Sequence, residues 1–104
     1  MLNKIHISPK AGERLFAVYK FILSEFGETY AVKFHEELMR KLQQIKSFPE
    51  SGHLERVTTA GRRCYRSRIV GKYNKLIYYT SKDTLYVVSI WDMRMERQDK
   101  KIDS

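Results

Sequence analysis

The sequence predicts an α+β fold: an N-terminal strand, an antiparallel two-helix hairpin, and a three- to four-stranded, mainly antiparallel sheet on which the hairpin packs. Two observations predict it. Residues 8–49 carry apolar side chains at helical spacing with one break at Gly27, and residues 62–94 are rich in aromatic and β-branched residues. The length of 104 residues suits a single domain, 1–104, and the lone Cys64 excludes an intrachain disulfide.

The first strand and the first helix meet at a strong helix-start signal. Residues 2–7 alternate apolar and polar side chains, which is typical of a short strand. Ser8 can cap a helix, and Pro9 is tolerated at the first helical position. Gly27 ends the helix. The helical stripe consists of Ala11, Leu15, Val18, Tyr19, Ile22 and Phe26.

The second helix begins at about Glu28 and ends before Pro49, which cannot continue a helix. With so short a connection at Gly27, the two helices form an antiparallel hairpin. Its apolar stripe consists of Ala31, Phe34, Leu38, Leu42 and Ile45.

Two turn signals divide the rest into three strands: Gly71-Lys72 and Ser81-Lys82-Asp83. The last strand, 85–91, is apolar on both faces, which predicts a position inside the sheet. We expect most aromatic residues of these strands to serve in packing, namely Tyr65, Tyr78, Tyr79 and Trp91. Residues 95–104 form a polar tail.

The positive charge is concentrated in one segment. Residues 56–82 contain no Asp or Glu and eight Lys or Arg, which accounts for the formal net charge of +8; they are Arg56, Arg62, Arg63, Arg66, Arg68, Lys72, Lys75 and Lys82. Such a balance indicates an acidic partner. The N-terminus has no signal-peptide pattern and no stretch is apolar enough to span a membrane, so we expect a cytoplasmic protein without a membrane partner.

The hairpin register makes this charge more informative. If Gly71-Lys72 is a two-residue loop, Arg68 lies opposite Lys75, and Arg66, Arg68 and Lys75 share one face. Like charges directly opposite one another are destabilising. We therefore expect a polyanion to bind this face.

The order of elements resembles the RelE/ParE superfamily of small bacterial toxins over nearly the whole chain. The segments that carry the resemblance are Phe48-Pro49-Glu50-Ser51-Gly52, residues 62–69, residues 71–78, and residues 85–91 followed by Asp92-Met93-Arg94. The resemblance implies the toxin of a type II toxin–antitoxin, or plasmid stabilisation, system. Members similar to RelE cleave mRNA in the ribosomal A site, whereas members similar to ParE inhibit DNA gyrase without cleaving anything.

The resemblance also implies partners and site residues. A cognate acidic antitoxin would neutralise the toxin, and operator DNA would be reached only through that antitoxin. The basic residues of the RNases are similar in position to Arg66, Arg68, Lys75 and Arg94 here, and these could neutralise a pentacoordinate phosphate. Neither metal nor cofactor is implied. Further phosphate or RNA contacts are expected from Arg62, Arg63 and Lys72.

The general base is the open question. Ribosome-dependent members carry a Tyr or a His-Tyr pair after the last strand, but this sequence has neither beyond Tyr86. Asp92, Glu96, or a Lys or Arg with a depressed pKa could replace it. We rank ribosome-dependent mRNA cleavage first. A non-enzymatic gyrase inhibitor and a non-toxic protein that binds only its antitoxin and operator DNA are the alternatives.

Overall fold

The computed structural model describes residues 2–55 and 63–94, and the predicted tail, 95–104, lies outside them. Two helices pack on one face of a five-stranded sheet. In chain order the elements are β1 (Lys4–Ile7), α1 (Pro9–Phe26), α2 (Glu28–Ser47), a 3-10 turn (Pro49–Ser51), β2 (His53–Leu54), β3 (Arg66–Val70), β4 (Asn74–Ser81) and β5 (Thr84–Asp92).

The sheet has the strand order β1-β5-β4-β3-β2. Strand β1 pairs with β5 in parallel, and all other neighbours are antiparallel. The predicted α+β fold is therefore confirmed, with the two-residue β2 as an additional edge strand. Strand β5 lies between β1 and β4, as its two apolar faces predicted.

The boundaries of the helix hairpin follow from local sequence signals. The Ser8 hydroxyl accepts a hydrogen bond from the backbone N–H of Ala11 at 3.1 Å, and Pro9 is the first helical residue. Gly27, with φ of 96°, separates the two helices and donates its N–H to the carbonyls of Ile22 and Leu23. A side chain is strained at such a positive φ, so Gly27 allows the chain to reverse there.

The core lies between the helices and the sheet. All five apolar residues predicted for α2 are buried, and in α1 Ala11 and Leu15 are buried while Val18 and Ile22 are partly covered. Phe26, which the stripe of α1 includes, is 61% exposed. It lies in the last turn of α1, where its ring contacts Phe21 and Tyr30 at the tip of the hairpin.

A second, smaller apolar cluster covers the opposite face of the sheet, which we call the open face. Tyr65, Ile77 and Val88 are its buried members. Tyr79, Tyr86 and Trp91 pack around them and are partly buried. Trp91 therefore serves in packing, as expected, but on the open face rather than beneath the helices.

Candidate functional site

Arg66 and Arg68 lie side by side on β3 and point toward the helix side of the sheet. The Arg68 guanidinium donates to the Ser51 hydroxyl at 2.9 Å and to the Gln44 side-chain carbonyl at 2.7 Å. Arg66 donates to the carbonyls of Gly52 at 3.0 Å and of Glu50 at 3.5 Å. The two arginines thus fasten the 3-10 turn after α2 to β3.

A buried tyrosine also makes hydrogen bonds to this 3-10 turn. The Tyr78 hydroxyl donates to the Pro49 carbonyl at 2.8 Å and accepts the Gly52 N–H at 3.1 Å. Burial raises the pKa of this phenol, although the hydrogen bond from Gly52 and the charge of Arg66 act in the opposite direction. The Tyr78 side chain is fully buried, so its hydroxyl fixes the position of the turn that Arg66 and Arg68 contact.

Removing this hydroxyl should cost stability. In Tyr78→Phe the Gly52 N–H and the Pro49 carbonyl lose a partner, and we expect a loss of about 1–3 kcal/mol in the free energy of unfolding. The pKa of Tyr78 is raised in the folded state. Its contribution to the free energy of unfolding is therefore fully present below the unfolded pKa of about 10, and it is lost as the pH rises through the folded pKa. Urea unfolding should be measured below and above a pH of about 10. As the pH rises, the free energy of unfolding of the wild type should fall more steeply than that of Tyr78→Phe. Tyr30→Phe, at an exposed position, is the control, and identical slopes for all three proteins would contradict the prediction.

The predicted hairpin register was wrong. The loop contains three residues, Gly71-Lys72-Tyr73, so that Val70 pairs with Asn74 and Arg68 lies opposite Leu76. Lys75 lies opposite Ile69. Because a shift of one residue turns every side chain of a strand to the other face, Lys75 is on the open face while Arg66 and Arg68 are on the helix side.

The loop is longer because α2 holds its first residue. Gly71 has φ of 74° and donates its N–H to the Glu37 carboxylate at 3.1 Å. A side chain on Gly71 would come within 3.4 Å of the Phe34 ring. These contacts come from a distant part of the chain, so the sequence of the loop did not reveal them.

Lys75 has partners on the open face. Its ammonium lies 2.7 Å from the Glu55 carboxylate and 5.7 Å from the centre of the Trp91 ring. The Ser67 hydroxyl donates to the same Glu55 oxygen at 2.6 Å. Only 18% of the Lys75 side chain and 9% of the Glu55 side chain are exposed. Sequence reasoning missed Glu55, the last acidic residue before the basic segment.

Arg94 forms a local pair with Asp92 just after β5. The guanidinium donates to both carboxylate oxygens, at 3.0 and 2.7 Å, and the Arg94 backbone N–H donates at 2.9 Å. The guanidinium also lies over the Tyr73 ring at 4.3 Å. These hydrogen bonds hold the pKa of Asp92 below its ordinary value and raise that of Arg94. A carboxylate held in this way is a weaker base than a free one.

The Asp92–Arg94 pair should contribute little to the stability of the fold. We expect this small contribution at neutral pH and not in acid. Asp92→Asn is expected to lower the free energy of unfolding by less than about 1 kcal/mol, because the pair is near the surface. The folded pKa of Asp92 is depressed, so its contribution is present above the unfolded value of about 3.9 and is lost as pH falls through the folded pKa. Urea unfolding should therefore show a difference at neutral pH that disappears in acid. A difference that persists in acid would contradict this account.

The residues predicted to contact phosphate are only partly brought together. The Arg63 guanidinium lies over the Tyr79 ring at 4.3 Å, and the exposed Lys72 ammonium lies 5.9 Å from the Tyr73 ring. Arg62 and Glu96 lie outside the described residues.

A cleft of about 220 Å³ opens between the 3-10 turn and the ends of β3 and β4. Its lining consists of Pro49, Glu50, Arg63, Cys64, Arg66, Tyr78, Tyr79 and Thr80.

The described basic residues predicted for the site therefore do not share one face. Arg66 and Arg68 lie on the helix side, whereas Lys75 and Arg63, which lies over the Tyr79 ring, are on the open face, and Arg94 is bound to Asp92. Arg63 and Arg66 meet only as parts of the lining of the cleft. Among residues 2–55 and 63–94 no three His, Cys, Asp or Glu side chains are grouped so that they could hold a metal ion. Neither described helix is long and apolar enough to cross a membrane.

Solved structures share this architecture. A chain of the chromosomal ParDE TA system from P. aeruginosa superposes with a TM-score of 0.67 and 13% identity, covering 88% of this chain and 96% of that one. The YoeB dimer from Staphylococcus aureus gives a TM-score of 0.57 at 20% identity, covering 86% and 94%. At these identities the likeness shows the fold alone.

The family is shown by the sequence itself. Residues 5–97 match the family model described as the ParE toxin of the type II toxin–antitoxin system parDE. This chain therefore belongs to the ParE toxin family, within the RelE/ParE superfamily that its motifs resemble. Membership implies an antitoxin partner. Comparison with curated proteins finds no significant match.

Proposed function

We propose that this toxin arrests growth by binding and inhibiting DNA gyrase, as the ParE-like alternative implies, and that it does not cleave RNA. The observation that carries the proposal is the separation of the cations. Cleavage of a phosphodiester needs several donors directed at one phosphate. Here Lys75 and the Arg66–Arg68 pair are on opposite faces of the sheet.

The partners of these cations support the same proposal. Lys75 is paired with Glu55, Arg94 with Asp92, and Arg68 with Ser51 and Gln44. A phosphate would have to displace these partners. The sequence also has no Tyr or His after Tyr86, and Arg94 lowers the pKa of Asp92, which makes this carboxylate a weaker general base.

The antitoxin partner fits the surface of the helix hairpin. Several large apolar side chains there are more than half exposed, and they include Phe16, Phe21, Phe26 and Tyr30. Large exposed apolar patches mark protein-binding surfaces. We infer that an amphipathic, acidic antitoxin segment covers this surface and continues toward the basic side of β3, which would keep the toxin inactive until the antitoxin is lost.

Ribosome-dependent mRNA cleavage is the second candidate, and one observation favours it. Arg63 and Arg66 both line the cleft beside the 3-10 turn, so two guanidinium groups could bind one phosphate of a message there. In that case Arg66 would be the basic residue that acts on RNA. Lys75 and Arg94 would act only after leaving Glu55 and Asp92.

One pair of assays separates the two candidates. Purified toxin should suppress supercoiling by purified gyrase, while mRNA on programmed ribosomes stays intact when its 5′ ends are mapped by primer extension. Addition of the antitoxin should restore supercoiling. Cuts in the A-site codon that vanish in Arg66→Ala/Arg68→Ala but persist in Arg40→Ala, an exposed α2 control, would overturn the gyrase proposal in favour of the RNase.

A further inference from the structure

A row of aromatic rings crosses the open face of the sheet. His6, Tyr86, Tyr79 and Tyr65 come from β1, β5, β4 and the segment leading into β3, which are neighbours in the sheet. Successive ring centres are 5.6, 4.8 and 5.7 Å apart. His6 is exposed, Tyr79 and Tyr86 are half-buried, and Tyr65 is buried. The row follows the sheet register, in which Tyr86 pairs with both His6 and Tyr79, and it continues from the buried Tyr65 to the exposed edge strand.

Arg63 lies over one ring of this row. Its guanidinium lies 4.3 Å from the centre of the Tyr79 ring, while the nearly parallel Tyr86 ring is 4.8 Å away at an angle of 11°. The other two ring contacts of the row, between His6 and Tyr86 and between Tyr79 and Tyr65, are edge-to-face. The guanidinium is planar and lies next to the one parallel ring pair of the row. We call Tyr86, Tyr79 and the Arg63 guanidinium the column.

The column ends at the cleft described above. Arg63 and Tyr79 both line it, and Arg66 and Glu50 contribute from the other elements. At about 220 Å³, it is smaller than a pocket for a drug-sized ligand. A flat group that enters it can stack on the guanidinium, and an anionic group attached to that one can reach Arg66.

We propose that this surface binds single-stranded nucleic acid, with one base stacked on Arg63 and its phosphate near Arg66. Bases stack on aromatic rings and on arginine planes, and cations nearby attract the backbone. An acidic peptide would use the charges but not the flat column, and the bases of a duplex are already stacked on each other. The proposal does not depend on gyrase being the target.

The test compares two strands and two matched variants. Binding of full-length toxin, free of antitoxin, is measured by fluorescence anisotropy with a labelled oligodeoxycytidine of about 12 nucleotides, within the usual site size, and with a blunt duplex of equal length. Arg63→Lys keeps the charge and loses the planar group. Arg40→Lys makes the same change on an exposed position of α2.

We expect Arg63→Lys to weaken binding of the single strand about tenfold, the scale of losing one stacked base, and to change duplex binding less than about twofold, because its charge is retained. Arg40→Lys should change neither. Equal affinity of the wild type for single strand and duplex, or an unchanged affinity in Arg63→Lys, would overturn the proposal and leave only general attraction between opposite charges. Inhibition of supercoiling is measured separately on the same proteins, so failure of this site and failure of the gyrase proposal are distinguishable.

Discussion

Gly52→Ala is expected to destabilise the fold by about 3 kcal/mol, since overpacking a filled site costs 1–3 kcal/mol and a buried hydrogen bond is also lost. A Cβ atom at this position would lie 2.5 Å from the Tyr78 hydroxyl oxygen and 2.7 Å from the Ser67 carbonyl oxygen. Neither neighbour can move easily. Tyr78 is fully buried, and Ser67 pairs with His53 in the sheet.

A second glycine provides the matched control. A Cβ on Gly12, in α1, would meet only the Ile7 side chain at 3.9 Å, an ordinary contact. Gly12→Ala should therefore stabilise the protein by about 0.5–1 kcal/mol, because alanine is the better helix former. Urea unfolding of both variants checks the pair. A Gly52→Ala protein as stable as the wild type would show that the turn relaxes away from Tyr78.

The same contacts connect stability to the basic residues. Displacing the turn at Gly52 would remove the carbonyls that Arg66 donates to and the Ser51 hydroxyl that Arg68 donates to. We therefore expect Gly52→Ala to weaken every function that needs Arg66 and Arg68 in their present positions. Gly12→Ala should leave those functions unchanged.

Local signals were sufficient to predict both helices and the buried stripe of α2, whereas the stripe predicted for α1 is buried only in part, since Phe26 is exposed. The Ser8-Pro9 start, the break at Gly27 and the period of α2 each act within a few residues, and the structure agrees with them. The interior position of β5 was predictable in the same way, because a strand with two apolar faces needs neighbours on both sides.

The arrangement of the cations was not predictable, because it depends on contacts between distant segments. The loop at Gly71 has three residues rather than two, and the N–H of its first residue donates to Glu37 of α2. That one residue moved Lys75 to the other face. Glu55 could not be recognised as a partner of Lys75 either, since their contact requires β2 to pair with β3.

The Lys75–Glu55 pair supports the second large prediction. Replacing Lys75 with Met leaves the Glu55 carboxylate in a place where only 9% of its side chain is exposed. The Ser67 hydroxyl still donates to it, but the charge of Lys75 is gone. Removing one partner of a fully buried pair costs about 3–5 kcal/mol, and we expect about 2–4 kcal/mol here because Lys75 keeps some contact with water.

The double variant Lys75→Met/Glu55→Gln should recover much of that loss, because the charge of Glu55 is removed together with that of Lys75. Urea unfolding of the wild type, both single variants and the double variant gives the coupling energy between the two residues. A double variant as unstable as Lys75→Met would mean that the contact of the Lys75 ammonium with the Trp91 ring, rather than the charge pair, carries the effect.

The double variant also tests the role of Lys75 in toxicity. If Lys75 serves mainly to pair with Glu55, a folded Lys75→Met/Glu55→Gln protein should still arrest growth and still suppress supercoiling by gyrase. If Lys75 binds the phosphate of a message, the same protein should be folded but harmless, since methionine cannot donate to a phosphate. Measuring growth arrest and stability on the same variant therefore separates a structural lysine from a functional one.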